Sequence, residues 1–154
     1  MSGPFLCDLM KKHLQTYLEY THYCNLQMIV LLTPENNQEK IARFVSHTIN
    51  AQHIWNKRLE GQPIELGVWQ DHDIATLERL EHENFEISLR LLALLDLSTN
   101  ISYENSEGTS FTKNIGDIFF HIINHSTYHR GQLMLVLKEM GVTPIPLDFI
   151  HYNQ

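Results

Sequence analysis

The stretch FFHIINHSTYHRGQLMLVLKEMG, Phe119 to Gly141, places histidines at a strict interval of four: His121, His125 and His129. Positions four apart share a helix stripe, and Ile118, Ile122, Gln132 and Val136 fall on the stripe of His125 and His129. The spacing predicts a helix over about 114–140, with Gly141 at the C′ position and Pro144 shortly beyond it. A second apolar strip, Phe119, Phe120, Ile123, Met134 and Leu137, runs along the same helix, with Gly131 where another backbone can approach. A helix apolar on two sides needs partners on both.

Three more helices supply them. One covers about Phe5 to Leu32, with Leu6, Leu9, Met10, Leu14, Tyr17, Cys24, Met28 and Leu31 as its apolar positions, and Thr33-Pro34 ends it. The second covers about Gln38 to Leu59; Asn36 or Asn37 can cap it, and Gly61-Gln62-Pro63 stops it. The third covers about Ile74 to Leu97, with Asp71 and Asp73 as possible caps. Between helices three and four lies STNISYENSEGTSFT, polar and turn-rich, with room for short extended pieces. Four helices of this length predict one all-α domain over residues 1–154, a four-helix bundle.

Composition narrows the function. The chain carries a net charge of −7 with histidines neutral, which argues against nucleic acid or an anionic membrane as partner. The longest apolar run, MIVLL, is too short to span a bilayer, and the N-terminus lacks the pattern of a signal peptide. Cys7 and Cys24 form no CxxC and lie on one helix, so they read as reduced thiols of a cytoplasmic protein. Ten histidines against eleven Lys plus Arg is a high share and raises the expectation of metal.

Two histidines at i, i+4 can grip one ion, but a third ligand must come from another helix. The second helix offers His47 and His53. His47 shares a stripe with Phe44, Ala51 and Ile54 and is read as inward; His53 falls among Ser46, Asn50, Lys57 and Glu60 and is read as solvated. The expected metal ligands are therefore His47, His125 and His129, a set that leaves coordination positions for water or substrate. A core of hydrogen-bonded histidines is the competing reading, yet each neutral imidazole would then need its own polar partner.

Three successive turns span about 12 Å, too far for one ion with bonds of about 2.1 Å, so His121 is expected beside the metal or in the pocket wall. Gln132, one turn beyond His129, is placed to orient it or to line the pocket. On the third helix Glu81, Asn84 and Ser88 lie near the centre of the apolar arc. Glu81 is a candidate general acid/base there, with pairing to a core Tyr, Lys or His as the alternative. A di-iron bundle would need two Glu-x-x-His units and only Glu19-x-x-His22 is present; the HExxH of zincins is absent.

HTINAQHIW together with HIINHSTYHRGQ resembles the DinB, or damage-inducible, branch of the DinB/YfiT-like superfamily. YTHYCN, RLEG, VWQDH and the closing PLDFIHY also resemble that family, over nearly the whole chain. The resemblance implies an up-down-down-up four-helix bundle, commonly a homodimer, with a divalent ion held by one side chain of the second helix and two of the fourth. These correspond to His47, His125 and His129, and the ion expected is zinc or nickel. Relatives in the superfamily use bacillithiol or mycothiol as cofactor, so thiol-dependent S-transfer to a small electrophile is the expected activity. Metal-dependent hydrolysis and a non-enzymatic, stress-induced metal- or ligand-binding bundle are the alternatives. An open cavity lined by Glu81, Asn84, Ser88 and Gln132 would favour an enzyme, and a sealed set would favour the binding role. The second apolar strip points to a homodimer through helix four.

Overall fold

The computed structural model describes residues 4–33, 39–105 and 107–152. Helices α1 (Pro4–Val30), α2 (Glu39–Glu60) and α3 (Ile74–Leu94) are followed by a hairpin of β1 (Asn100–Glu104) and β2 (Ser110–Asn114), then by α4 (Ile115–Glu139). A short 3-10 turn, Phe149–His151, lies near the end. The expected helix-two cap, Asn36 or Asn37, and Pro34 lie outside the described residues.

Asp73 and Gly141 act as expected, and Asn114 adds a cap that the sequence reading did not name. Asp73 caps α3 by accepting from the Thr76 backbone N–H at 2.7 Å, and Asn114 caps α4 by accepting from Asp117 N–H at 2.7 Å. Gly141, at φ +78°, closes α4: its N–H donates to Lys138 O and that of Val142 to Leu137 O, a pairing that spends the last orphan carbonyls. Helix α3 ends three residues earlier than the periodicity predicts. Leu97 O instead accepts from Gly116 N–H, and Asp96 accepts from Ser98, so the chain turns there into the hairpin.

Cross-helix contacts fix the topology. Lys11 Nζ donates to Ala93 O while His22 meets Glu81, so α1 and α3 run antiparallel. Ser126 bonds Asn25 and Arg130 bonds Tyr20, while Leu14 and Leu18 pack with Ile118 and Ile122, and Met28 and Ile29 with Leu133 and Leu137; α1 and α4 are parallel. His47 meets His129 and Trp55 meets His121, so α2 opposes α4. The bundle is up-down-down-up. The α2–α3 pair is parallel, with Asn84 donating to Ile49 O and Gln52 to Ser88 Oγ. A parallel pair cannot be joined by a tight turn, so residues 61–73 must run back along α2, a distance of about 33 Å for its 22 residues. That return path passes over the histidines.

The core is built from separate apolar clusters, one holding Leu18, Ile118 and Phe119 and another holding Ile41, Leu77 and Leu137. Two expectations about it need correction. The early apolar positions of α1, Leu6, Leu9, Met10 and Tyr17, are exposed, and the buried face of α1 starts at Leu14. The second strip of α4 is largely interior: Phe119, Ile123 and Leu137 are buried within the chain's own core and Met134 packs against it, leaving Phe120 exposed. The far end of the chain is tied to α1, where Tyr20 OH donates to Leu147 O at 2.5 Å. Arg130 stacks over the Tyr20 ring at 5.0 Å and donates to its hydroxyl at 2.9 Å. Among the described residues, no helix is long and apolar enough to cross a membrane.

Candidate metal centre

Antiparallel packing of α2 on α4 sets His47 opposite His125 and His129. Each of the three offers one ligand atom, and these atoms lie within 4.8 Å of one another. His129 Nε2 is 3.1 Å from His47 Nε2 and 3.1 Å from His125 Nε2. Nitrogens about 2.0–2.1 Å from a shared ion stand about 2.9–3.4 Å apart for angles between 90° and tetrahedral, so the spacing fits one divalent ion.

The far side of the rings decides what these short contacts are. His47 Nδ1 lies 3.1 Å from the Val68 carbonyl, which can only accept, so Nδ1 carries the proton and Nε2 presents a lone pair. His129 Nδ1 lies 2.7 Å from Gln132 Oε1, which sets the same tautomer. Two Nε2 lone pairs that face each other at this distance repel unless a cation lies between them. Charging His47 and His125 is opposed. Burial pushes His47 below the ordinary histidine range and pushes His125 down to about 3, with His129, His47 and His121 adding repulsion at His125. The donor set is convergent, and two of its three rings are oriented from behind, as a cation site requires.

The walls are aromatic. Trp69 lies flat on His47, with ring centroids 3.8 Å apart and planes 11° from parallel. Arg43 sits over the other ring system of that corner, 5.5 Å from the Trp69 centroid, and Phe44 and Tyr128 stand 6.0 and 5.1 Å from the His129 ring. Trp69 and Val68 reach the site because the return connection is strapped down. The buried Asn50 side chain donates to Gly67 O at 3.2 Å and Gln70 O at 2.7 Å, and accepts from His72 Nε2 at 2.8 Å. Sequence reasoning missed the roles of Asn50, Val68 and Trp69; the available signal was the VWQDH segment, which carries Val68 and Trp69 and enters only through the family resemblance.

His53 departs from its expected solvated position. It is half-buried, and its Nδ1 donates to Asn84 Oδ1 at 3.1 Å, because α3 reaches across to a face that the wheel alone assigns to solvent. His121 is outside the ligand group, as the turn spacing requires. Its ring packs 5.3 Å from His125 and 5.2 Å from Trp55, and the residue is exposed to solvent on its other side.

The polar arc of α3 is sealed. Glu81 is fully buried, bonded to His22 Nδ1 and to Asn25 Nδ2, both at 2.9 Å. Its carboxyl is raised above the usual glutamate range because burial outweighs the opposing pull of His22 and Asn25. Asn84 and Ser88 are equally buried and bond Ile49 O, Asn56 and Gln52. Of the four polar residues expected to line a cavity, Gln132 alone touches a histidine of the triad. A cleft of about 1000 Å³ lies elsewhere, between the start of α1, the end of α3 and the start of α4, lined by residues such as Cys7, Met10, Leu94 and Phe120 and by none of the three histidines.

Comparison with known proteins agrees with this architecture. The chain is 25% identical over 77 residues to Protein DinB of Bacillus subtilis (strain 168), covering 47% of this chain and 45% of that protein. It is 24% identical over 118 residues to the uncharacterized protein YizA of the same organism, covering 73% of this chain and 72% of that one. The chain thus spans less than half the length of the first relative and about seven-tenths of the second. The sequence profile of the DinB family matches residues 27–154, a span that holds the whole histidine triad and the connection over it, and the chain belongs to the DinB family.

Proposed function

We propose that the chain is a metal-dependent enzyme that transfers a low-molecular-weight thiol such as bacillithiol to a small electrophile. The observation that carries the reading is the 3.1 Å Nε2 contact between His47 and His129, whose far nitrogens are already committed as donors, with His125 Nε2 a further 3.1 Å from His129 Nε2. A bound zinc- or nickel-like ion would lower the pKa of a thiol and make it nucleophilic at neutral pH. His47, His125 and His129 hold the ion with no charge of their own, which leaves its positive charge for an anionic ligand. Val68 O and Gln132 fix two of the three rings. Trp69 covers one side of His47 and keeps water from it.

The sealing of Glu81, Asn84 and Ser88 weighs on the choice of chemistry. It removes the carboxylate that metal-dependent hydrolysis would use as base, and it leaves a reaction in which the nucleophile needs no protein base. The same sealing favours a second reading, a non-enzymatic stress-induced bundle that binds a metal or ligand. The two readings separate on turnover. Fully metallated protein should conjugate bacillithiol, or a substitute thiol, to members of an electrophile panel, and chelator or His125→Ala should abolish it. Metallated protein without turnover with any thiol would leave the binding role.

A homodimer belongs to the same proposal, through the outer face of α4. Phe120, Tyr128 and Leu135 are 62, 62 and 59% exposed there, and Gly131 has open space where a Cβ would stand. The two free cysteines of α1 suit a reducing compartment, which favours the cytoplasm.

A further inference from the structure

An exposed tryptophan lies flat against the triad. Trp69 belongs to the connection between α2 and α3, and its indole stacks on the His47 ring at 3.8 Å, with planes 11° from parallel. That contact covers one face of the indole, yet 46% of the residue remains exposed. The exposure therefore belongs to the other face and the edges. Phe44 meets the indole at 6.5 Å and 72°, and Val68, next to it in the chain, is exposed as well. Together they form an apolar patch that borders the candidate metal centre, the kind of surface that a ligand covers.

The indole is held in place by the backbone around it. Asn50 donates to Gly67 O and Gln70 O, the carbonyls on either side of Val68 and Trp69. Gly67 O also accepts from Gln70 N–H at 3.1 Å, and Gln70 Oε1 accepts from Gly67 N–H at 3.2 Å. Little freedom is left to lose when another ring stacks on the indole, so the stacking energy appears as affinity. The face of an aromatic ring carries negative charge density, which favours an electron-poor partner. Carbon electrophiles conjugated to a carbonyl or nitro group are flat and electron-poor in that sense. Arg43, exposed and with its Cζ 5.5 Å from the Trp69 centroid, adds donors for their oxygens.

We propose that the free face of Trp69 is a stacking platform that selects planar, conjugated electrophiles as the substrates of this centre. For the reaction this rests on the thiol-transfer reading above; the binding of the planar group does not need the thiol. With a maleimide as acceptor the step balances without a further reactant. The thiolate sulfur bonds to one alkene carbon, the π pair moves to the imide carbonyl as an enolate, and a solvent proton ends on the other alkene carbon.

The test uses zinc-loaded protein with N-phenylmaleimide and N-cyclohexylmaleimide as acceptors. Their saturated analogues, N-phenylsuccinimide and N-cyclohexylsuccinimide, bind without reacting. Affinities of the succinimides are read by ligand-observed NMR, and Trp69 emission is followed in a Trp55→Phe background, which leaves a single tryptophan. The phenyl succinimide should bind about five- to tenfold tighter than the cyclohexyl one, as an aromatic pair requires, and should change Trp69 emission saturably. N-phenylmaleimide should be favoured in kcat/KM by a similar factor beyond the ratio of the uncatalysed rates. Trp69→Leu should bring each pair to parity with zinc content unchanged, and Trp69→Phe should keep part of the preference. Equal affinity of the two succinimides for wild type, a preference that survives Trp69→Leu, or no saturable change in Trp69 emission overturns the platform, whatever the turnover. A succinimide preference that Trp69→Leu abolishes, in protein that conjugates no thiol to either maleimide, upholds the platform and removes the thiol reading alone.

Discussion

His47 and His129 owe their ligand-ready state to the atoms behind them. A backbone carbonyl cannot flip or titrate, so Val68 O gives His47 a fixed tautomer, whereas Gln132 can be removed by substitution. Gln132→Ala should weaken metal affinity by about 10–100-fold, as loss of an orienting partner does elsewhere, with the fold retained. Competition with a chromophoric chelator measures it; unchanged affinity would mean that the glutamine merely packs. His53→Ala should keep full metal content but cost about 1 kcal/mol in urea unfolding, because Asn84 Oδ1 loses a buried partner. The triad was legible in the sequence because helix angle alone sorts inward from outward on an amphipathic helix. His53 was not, since the angle does not say how far a neighbouring helix reaches around.

At the scale of elements, two polar devices hold α2 and α3 in place around the site. Asn50 uses its whole amide to strap the return connection, so Asn50→Ala should destabilise the chain by about 2–3 kcal/mol. It should also loosen metal binding, because Val68 loses its hold over His47. Destabilisation with wild-type metal affinity would show that the connection keeps its place without the strap. Glu81 gives a pH signature. Its folded pKa is raised, so the folded chain binds more protons than the unfolded chain once the pH exceeds the ordinary glutamate value. Stability from this group is present below that value and is lost as the pH climbs through the folded pKa. Glu81→Gln keeps hydrogen-bonding atoms near His22 and Asn25 without the charge. Relative to wild type it should gain stability as the pH climbs above the ordinary glutamate value, and a difference that does not move with pH would contradict the assignment. The start of α3 and the ends of α2 and α4 were legible because Asp73, Gly61 and Gly141 act locally, whereas the end of α3 was not. The course of residues 61–73 was not, since it follows from a parallel α2–α3 pair that no local signal encodes.

For the whole molecule, the apolar pattern of α4 gave the number of covered sides but not their owners. Phe119, Ile123 and Leu137 turn out to face the chain's own helices, so Ile123→Glu with Met134→Glu should unfold the chain instead of splitting a dimer. The outer residues carry the dimer proposal. Phe120→Glu with Leu135→Glu should leave the fold intact and give monomers by light scattering where wild type gives dimers. A wild-type mass in that variant would remove α4 as the interface.

The central claim is that three neutral imidazoles from two antiparallel helices converge on one cation. Its most direct test is elemental analysis of untagged protein, purified and reloaded with zinc or nickel, set beside His47→Ala, His125→Ala and His129→Ala. The account predicts about one divalent ion per chain in wild type and near-complete loss in each variant, with helical content unchanged. Wild-type protein that retains no divalent ion after reloading, or variants that retain all of it, would contradict the account.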